Sequence, residues 1–188
     1  MLEIKKLDNK TILIISDTKE NMFEYIERFI LLSFYESEKN KTFTVKPSLN
    51  KLKEWYKNNI SKNKVHIKDD NWIAFAIPRI DFFTKKQLKD KSKKDEKIIN
   101  LLKLLDTFFK TRNYMILFVN KEYDPITYAH HEMAHVLWAF NKEYKADMQE
   151  AIRAMNKKIK KKFYDALLSI GYSEAGIADE LQAYLATG

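Results

Sequence analysis

Three of the four histidines in the chain fall within the six residues His130-His131-Glu132-Met133-Ala134-His135. On a helix, His131 and His135 are four residues apart and project from one face. Two imidazoles so placed can grip one cation, while Glu132 stands one residue round the helix, beside the ion rather than on it. The pattern supplies two metal ligands and a base. Zinc in a hydrolytic site takes three protein ligands and keeps one position for water, whose acidity it raises by many orders of magnitude, so a third ligand is required. The chain has no cysteine, which excludes disulfides, thiolate nucleophiles and thiolate metal sites and leaves His, Asp or Glu for the part. The candidates after His135 are Glu143, Asp147, Glu150, Glu174, Asp179 and Glu180. Glu143, Asp147 and Glu150 stand in a polar stretch that reads as an exposed helix. Asp179-Glu180 is the better choice, because it sits in the otherwise apolar helix Ala178-Asp179-Glu180-Leu181-Gln182-Ala183-Tyr184-Leu185-Ala186, where a buried carboxylate needs a partner such as a cation.

His131-Glu132-Met133-Ala134-His135, followed by Glu180 on a downstream helix, resembles the gluzincin branch of the zincin-type zinc metallopeptidases. Glu180-Leu181-Gln182-Ala183 is similar to the Glu-x-Phe-Ala ligand helix of some members, with Gln182 in place of the aromatic. The resemblance is limited to the C-terminal third. The metzincin pattern fits poorly, since its glycine and third histidine would fall on Trp138 and Asn141. The thermolysin-like form Asn-Glu-x-x-x-Asp is not matched either, with Asp179 for the Asn and Tyr184 for the Asp. The resemblance implies a Zn2+ cofactor held by His131, His135 and Glu180. It implies that Glu132 takes a proton from the zinc-bound water and passes it to the leaving amine. Tyr184, one turn after Glu180, is a candidate donor to the oxyanion, set against a tyrosine buried for its ring area. Asp179 either supports a ligand histidine or faces solvent. A peptide or protein substrate is implied, laid along an exposed sheet edge supplied by Asn71 to Ile77 or by Tyr114 to Val119.

Two other functions compete with this one. A catalytically inactive zincin-like metal-binding or interaction protein would close the site with a fourth ligand such as Asp147 or His130. A basic nucleic-acid- or membrane-associated module would make the histidines incidental. The formal charge of +8 allows that, but the excess is lysine in runs such as Lys157-Lys158-Ile159-Lys160-Lys161-Lys162 and reads as solvated faces. No Gly-rich phosphate loop, Ser nucleophile elbow or aromatic-basic RNA motif appears, so no specific nucleic-acid partner and no nucleotide hydrolysis is predicted. His130 is expected on the surface and His66 receives no role.

The elements that must position these residues follow from patterning. Thr11 to Ile15 reads as a strand. Lys19 to about Tyr35 reads as a helix, with Phe23, Ile26, Ile30 and Phe34 at helical spacing and Asp17 or Thr18 as its cap. Leu49 to Asn58 reads as a short helix with Leu52, Trp55 and Tyr56 on one side, and Asn71 to Ile77 as a strand that stops at Pro78. Phe82 to Glu96 is strongly charged and reads as a surface loop or a poorly packed helix. Ile98, Leu101, Leu102, Leu105 and Phe108-Phe109 mark an amphipathic helix, and Tyr114 to Val119 a buried strand. Asp124 with Pro125 starts a helix that runs through His135, whose Val136, Leu137, Trp138 and Phe140 are expected to serve the core. Further helices are expected over Glu143 to Phe163 and Ser173 to Leu185.

The outcome is an α+β fold: a small sheet with a helical C-terminal zincin-like metal-site subdomain. With 188 residues, 45% of them hydrophobic, one domain is expected over 1–188. Its 1–97 portion is α/β in character and without an assigned role, and its 98–188 portion is the metal-binding one. Met1 to Lys6 lacks the apolar run of a signal peptide, and no stretch approaches the roughly 18 apolar residues of a membrane span, so a cytoplasmic protein is expected. Thr187-Gly188 follows the proposed ligand helix closely and leaves little protein for a second wall of the cleft, so efficient, broad proteolysis is not expected.

Overall fold

The computed structural model describes residues 1–38, 47–59, 73–79, 93–169, 172, 174 and 176–187. His66 and most of the charged stretch from Phe82 onward lie outside them. The first strands form a hairpin, β1 (Leu2–Lys6) and β2 (Thr11–Ser16). Its turn is held by Asp8, whose carboxylate accepts from the Lys10 N–H at 2.6 Å and the Thr11 hydroxyl at 3.2 Å. The β1 strand was not expected from the sequence. Only Leu2 and Ile4 alternate with charged neighbours, a signal too short to stand out, and it is the paired edge of β2 that fixes them.

Helix α1 (Lys19–Glu38) follows. Thr18 is its cap: the hydroxyl accepts from the Asn21 N–H at 3.2 Å, and the carbonyl accepts from the Met22 N–H. Met22, Ile26 and Ile30 recur every four residues and are buried. The short helix α2 (Leu49–Asn59) adds Leu52 to the same core, and strand β3 (Ala74–Pro78) ends at its proline. Helix α3 (Lys93–Asp106) buries Ile98, Leu101, Leu102 and Leu105 as expected, but stops before Phe108-Phe109. There Phe109 instead stacks on Tyr114 at 4.1 Å between ring centroids.

Strand β4 (Met115–Asn120) is buried at all six positions because it is central: the sheet order is β1-β2-β4-β3, with β2 and β4 parallel and both outer pairs antiparallel. It belongs to the second half of the chain yet lies between two strands of the first. Its even positions, Ile116 and Phe118, face the α1–α3 side, where they meet Ile12 and Ile14. Its odd positions, Met115 and Leu117, face the other side and meet Val136.

That other side carries helix α4 (Pro125–Phe140). Asp124 caps it, accepting from the Ile126 N–H at 3.1 Å and the Thr127 N–H at 3.4 Å, with Pro125 in the first turn where its missing N–H costs nothing. Of the four residues assigned to the core, Val136 is buried and Phe140 packs beside it. Leu137 is exposed, because it lies on the outer face, and Trp138 flanks the helix beneath Lys145, whose ammonium is 4.9 Å from the ring.

The single helix expected over Glu143 to Phe163 is two, α5 (Lys142–Ala154) and α6 (Lys157–Ser169). Asn156 divides them, since its side-chain oxygen accepts from the N–H groups of Lys158 and Ile159 and so starts a new helix. Helix α7 (Ile177–Thr187) closes the described chain, with the Gly176 carbonyl accepting its first N–H groups. The structure is α+β, as the sequence indicated. Among the described residues no helix is long and apolar enough to cross a membrane.

Candidate metal centre

The α4 and α7 helices pack against each other, and their contact brings the candidate residues together. Ligand atoms of His131, His135 and Glu180 all lie within 4.8 Å of one another, close enough to hold a metal ion. Both imidazole Nε2 atoms are 3.8 Å from the same atom, Glu180 Oε2. Metal–ligand bonds of about 2.0 Å in a tetrahedral site set ligand atoms roughly 3.3 Å apart, so each of the two His–Glu distances would contract by about half an ångström around an ion. Glu180 Oε2 is buried and accepts no hydrogen bond among the described residues. A desolvated carboxylate oxygen is costly unless something positive meets it, and these residues therefore fit a cation.

Asp179 supports a candidate ligand histidine while staying partly exposed: its Oδ1 lies 2.8 Å from His135 Nδ1. A proton on Nδ1 satisfies that contact and leaves the Nε2 lone pair aimed at the cation position. His131 has a weaker support, the Thr187 hydroxyl at 3.5 Å from its Nδ1. Burial works against a charged His135, but the Asp179 hydrogen bond and the carboxylates of Glu132 and Glu180 outweigh it and raise its pKa to about 9.

Glu132 is buried on the sheet side of α4. Burial pushes its carboxyl up to about 8, with His135 opposing the rise and Glu180 adding to it. The backbone N–H of Ala76 on β3 donates to it. Small side chains at Ala74 and Ala76 suit this close approach of α4 to the strand.

Tyr184 is neither a core residue nor remote. It is half exposed, and its ring lies 4.7 Å from that of His131. Burial raises its phenol, the Glu180 charge adds to this, and Tyr172 hydrogen-bonds it. His130 is exposed, and Glu143, Asp147 and Glu150 are exposed on α5, so none of them joins the cluster.

Four residues of the site were not singled out from sequence. Tyr172 reaches the Glu180 carboxylate, and burial together with that charge raises its phenol, but a lone tyrosine outside any periodic run gives no signal. Ala76 contributes only backbone. Gln182 stands where the resembling helices carry an aromatic, and Tyr144 lies in a polar stretch that carries no motif. The Tyr144 hydroxyl donates to Gln182 Oε1 at 2.6 Å, and Gln182 Nε2 donates to Asp179 Oδ1 at 3.0 Å.

No protein-family model, curated protein or solved structure matches the chain. The resemblance drawn in the sequence therefore rests on the residues of its motif alone.

Proposed function

We propose that the protein is a zinc-dependent metallopeptidase in which His131, His135 and Glu180 hold the ion and Glu132 is the general base. One observation carries the reading: two imidazole Nε2 atoms converge on a buried carboxylate oxygen that has no hydrogen-bond partner among the described residues, next to a second buried carboxylate that does not belong to the cluster. A donor set of two imidazoles and one carboxylate, with no thiolate, suits zinc.

A bound zinc ion would polarise a substrate carbonyl and make a water at the site far more acidic. The chain's own residues do the rest. Glu132 takes a proton from the attacking water and returns it to the leaving amine. A cation beside it opposes the effect of burial and favours the carboxylate form that this task needs. Ala76 N–H holds one side of that carboxylate in place. Tyr184, with its ring against His131, is the candidate donor to the negative charge that develops on the carbonyl oxygen.

The sheet supports an extended substrate. The Arg79 N–H donates to Tyr114 O and the Asn120 N–H donates to Ile73 O, so in the β3–β4 register the odd residues of β3 face β4 and the even ones face outward. At those outward positions Pro78 has no N–H and that of Ala76 is taken by Glu132. The edge thus accepts from a peptide's N–H groups more than it donates to its carbonyls, which leaves a scissile carbonyl to the metal side.

Zinc content and cleavage of a mixed peptide library, measured together, test the reading. Glu132→Gln keeps wild-type zinc and loses about 10²- to 10⁴-fold in rate, while His131→Ala and Glu180→Ala lose the metal. If Glu180→Ala retains zinc as wild type does, the third ligand is wrong. If zinc-loaded wild type cleaves nothing, the protein binds metal without turnover.

A further inference from the structure

Gln182 is fully buried on α7 and has both ends of its amide committed. The amide can point only one way, because Asp179 Oδ1, an acceptor, lies 3.0 Å from one end, and an oxygen placed there would face another oxygen. That leaves Gln182 Oε1 to accept from the Tyr144 hydroxyl at 2.6 Å. Asp179 Oδ1 in turn receives two donors, Gln182 Nε2 and the ring N–H of His135 at 2.8 Å. The series Tyr144–Gln182–Asp179–His135 links the first turn of α5, through α7, to the metal face of α4, with donors running from Tyr144 through Gln182 to Asp179 Oδ1 and meeting there the N–H that His135 donates from the other side.

We propose that Gln182 and Tyr144 are positioning residues for the metal centre, fixing the Asp179 carboxylate and through it the rotation and tautomer of His135. The inference rests on the metal-binding reading above. An aspartate on a helix has a soft second torsion and can swing its oxygens; a second donor on the same Oδ1 removes that freedom. Among the described residues, His131 Nδ1 has no such support beyond the Thr187 hydroxyl at 3.5 Å. The relay makes His135 the pre-set ligand, and it ties α5 to the site although no carboxylate of α5 reaches it. An aromatic at position 182, as in the resembling helices, would have no polar end to offer to Asp179.

The test measures zinc affinity by chelator competition, the visible spectrum of the cobalt(II)-loaded protein and the thermal midpoint of metal-free protein. The proteins are wild type, Gln182→Leu, Tyr144→Phe and the double variant. Gln182→Leu is expected to raise the zinc dissociation constant about tenfold or more and to shift the cobalt spectrum as the His135 ring reorients. Tyr144→Phe weakens binding in the same sense by less, and has no further effect on zinc affinity once Gln182 is leucine, because it acts through that amide. Should Gln182→Leu fail to fold, Tyr144→Phe at its half-buried position carries the test alone. Variants that lower the metal-free midpoint yet keep wild-type zinc affinity and cobalt spectrum overturn the relay and reduce these residues to packing. Wild type that binds neither metal overturns the metal reading and the relay with it, whereas wild type and Gln182→Leu binding equally well overturns the relay alone.

Discussion

On the α1–α3 side of the sheet, Ile12, Ile14, Met22, Ile26, Leu52, Leu105, Ile116 and Phe118 form one buried apolar cluster drawn from three helices and the central strands. On the α4–α7 side the apolar clusters are small, Met115, Leu117 and Val136 in one and Ile152, Leu167, Ile177 and Leu181 in the other. The space between them is filled by Glu132, His135, Asp179, Glu180 and Gln182. The first side is held by removal of apolar area from water, which is indifferent to orientation. The second is held by groups whose energies depend on angle, partner and charge, and it contains the orphaned oxygen. One region supplies the stability that lets the other keep a costly set of polar groups in fixed positions.

That contrast can be broken in steps, and the largest lies on the apolar side. Phe118→Ala removes a ring that is fully buried at the sheet centre and should cost about 3–5 kcal/mol of global stability in urea unfolding. Next, zinc at a hundred times its dissociation constant should raise the unfolding free energy of wild type by about 2.7 kcal/mol and leave Glu180→Ala unmoved. Hydrogen exchange should locate the local share of that gain in α7 and not in β4, and equal protection of both would erase the distinction.

A smaller effect belongs to a polar cluster on the apolar side. Arg79 binds Asp106 through two nitrogens at 2.9 and 2.8 Å, and the Tyr114 hydroxyl donates to the same carboxylate at 2.8 Å. Tyr114→Phe should cost about 2 kcal/mol. Burial alone would raise the Asp106 pKa, but these hydrogen bonds and the two nearby guanidinium charges hold it below the usual carboxylate value. Its contribution is therefore present above about pH 4 and lost as pH falls through the depressed folded value. Acid unfolding of Tyr114→Phe should show a shallower dependence in that window, and an unchanged slope would mean that the guanidinium groups of Arg79 and Arg112 set Asp106 without the phenol. The smallest effect is at the start of α4, where Asp124→Ala removes the cap and should cost about 1 kcal/mol, read as a drop in thermal midpoint.

The sequence exposed elements whose signal is local and periodic. Asp124-Pro125 marked the start of α4, and the spacing of Ile98, Leu101, Leu102 and Leu105 marked α3. His131 and His135 were legible because four residues on a helix is a distance in space as well as in sequence. Glu180 was reached through a resemblance, and its partner Asp179 was left between two roles that only the packing of α7 on α4 could separate. The β1 strand and the strand order depend on pairing between distant segments and leave little local trace. The break at Asn156 was hidden because two side-chain hydrogen bonds to the backbone outweighed the runs of good helix formers on either side of it. Gln182 and Tyr144 were invisible as a pair, since nothing in a linear text says that 38 residues separate two atoms only 2.6 Å apart.

The proline that ends β3 has a consequence for how copies of this protein meet. A bare strand edge recruits another strand by offering a ladder of alternating donors and acceptors, the usual route from folded monomers to aggregates. At the three outward positions of β3, a proline ring and an engaged N–H leave Ala74 as the sole donor, so two such edges brought face to face find too few complementary groups to zip together.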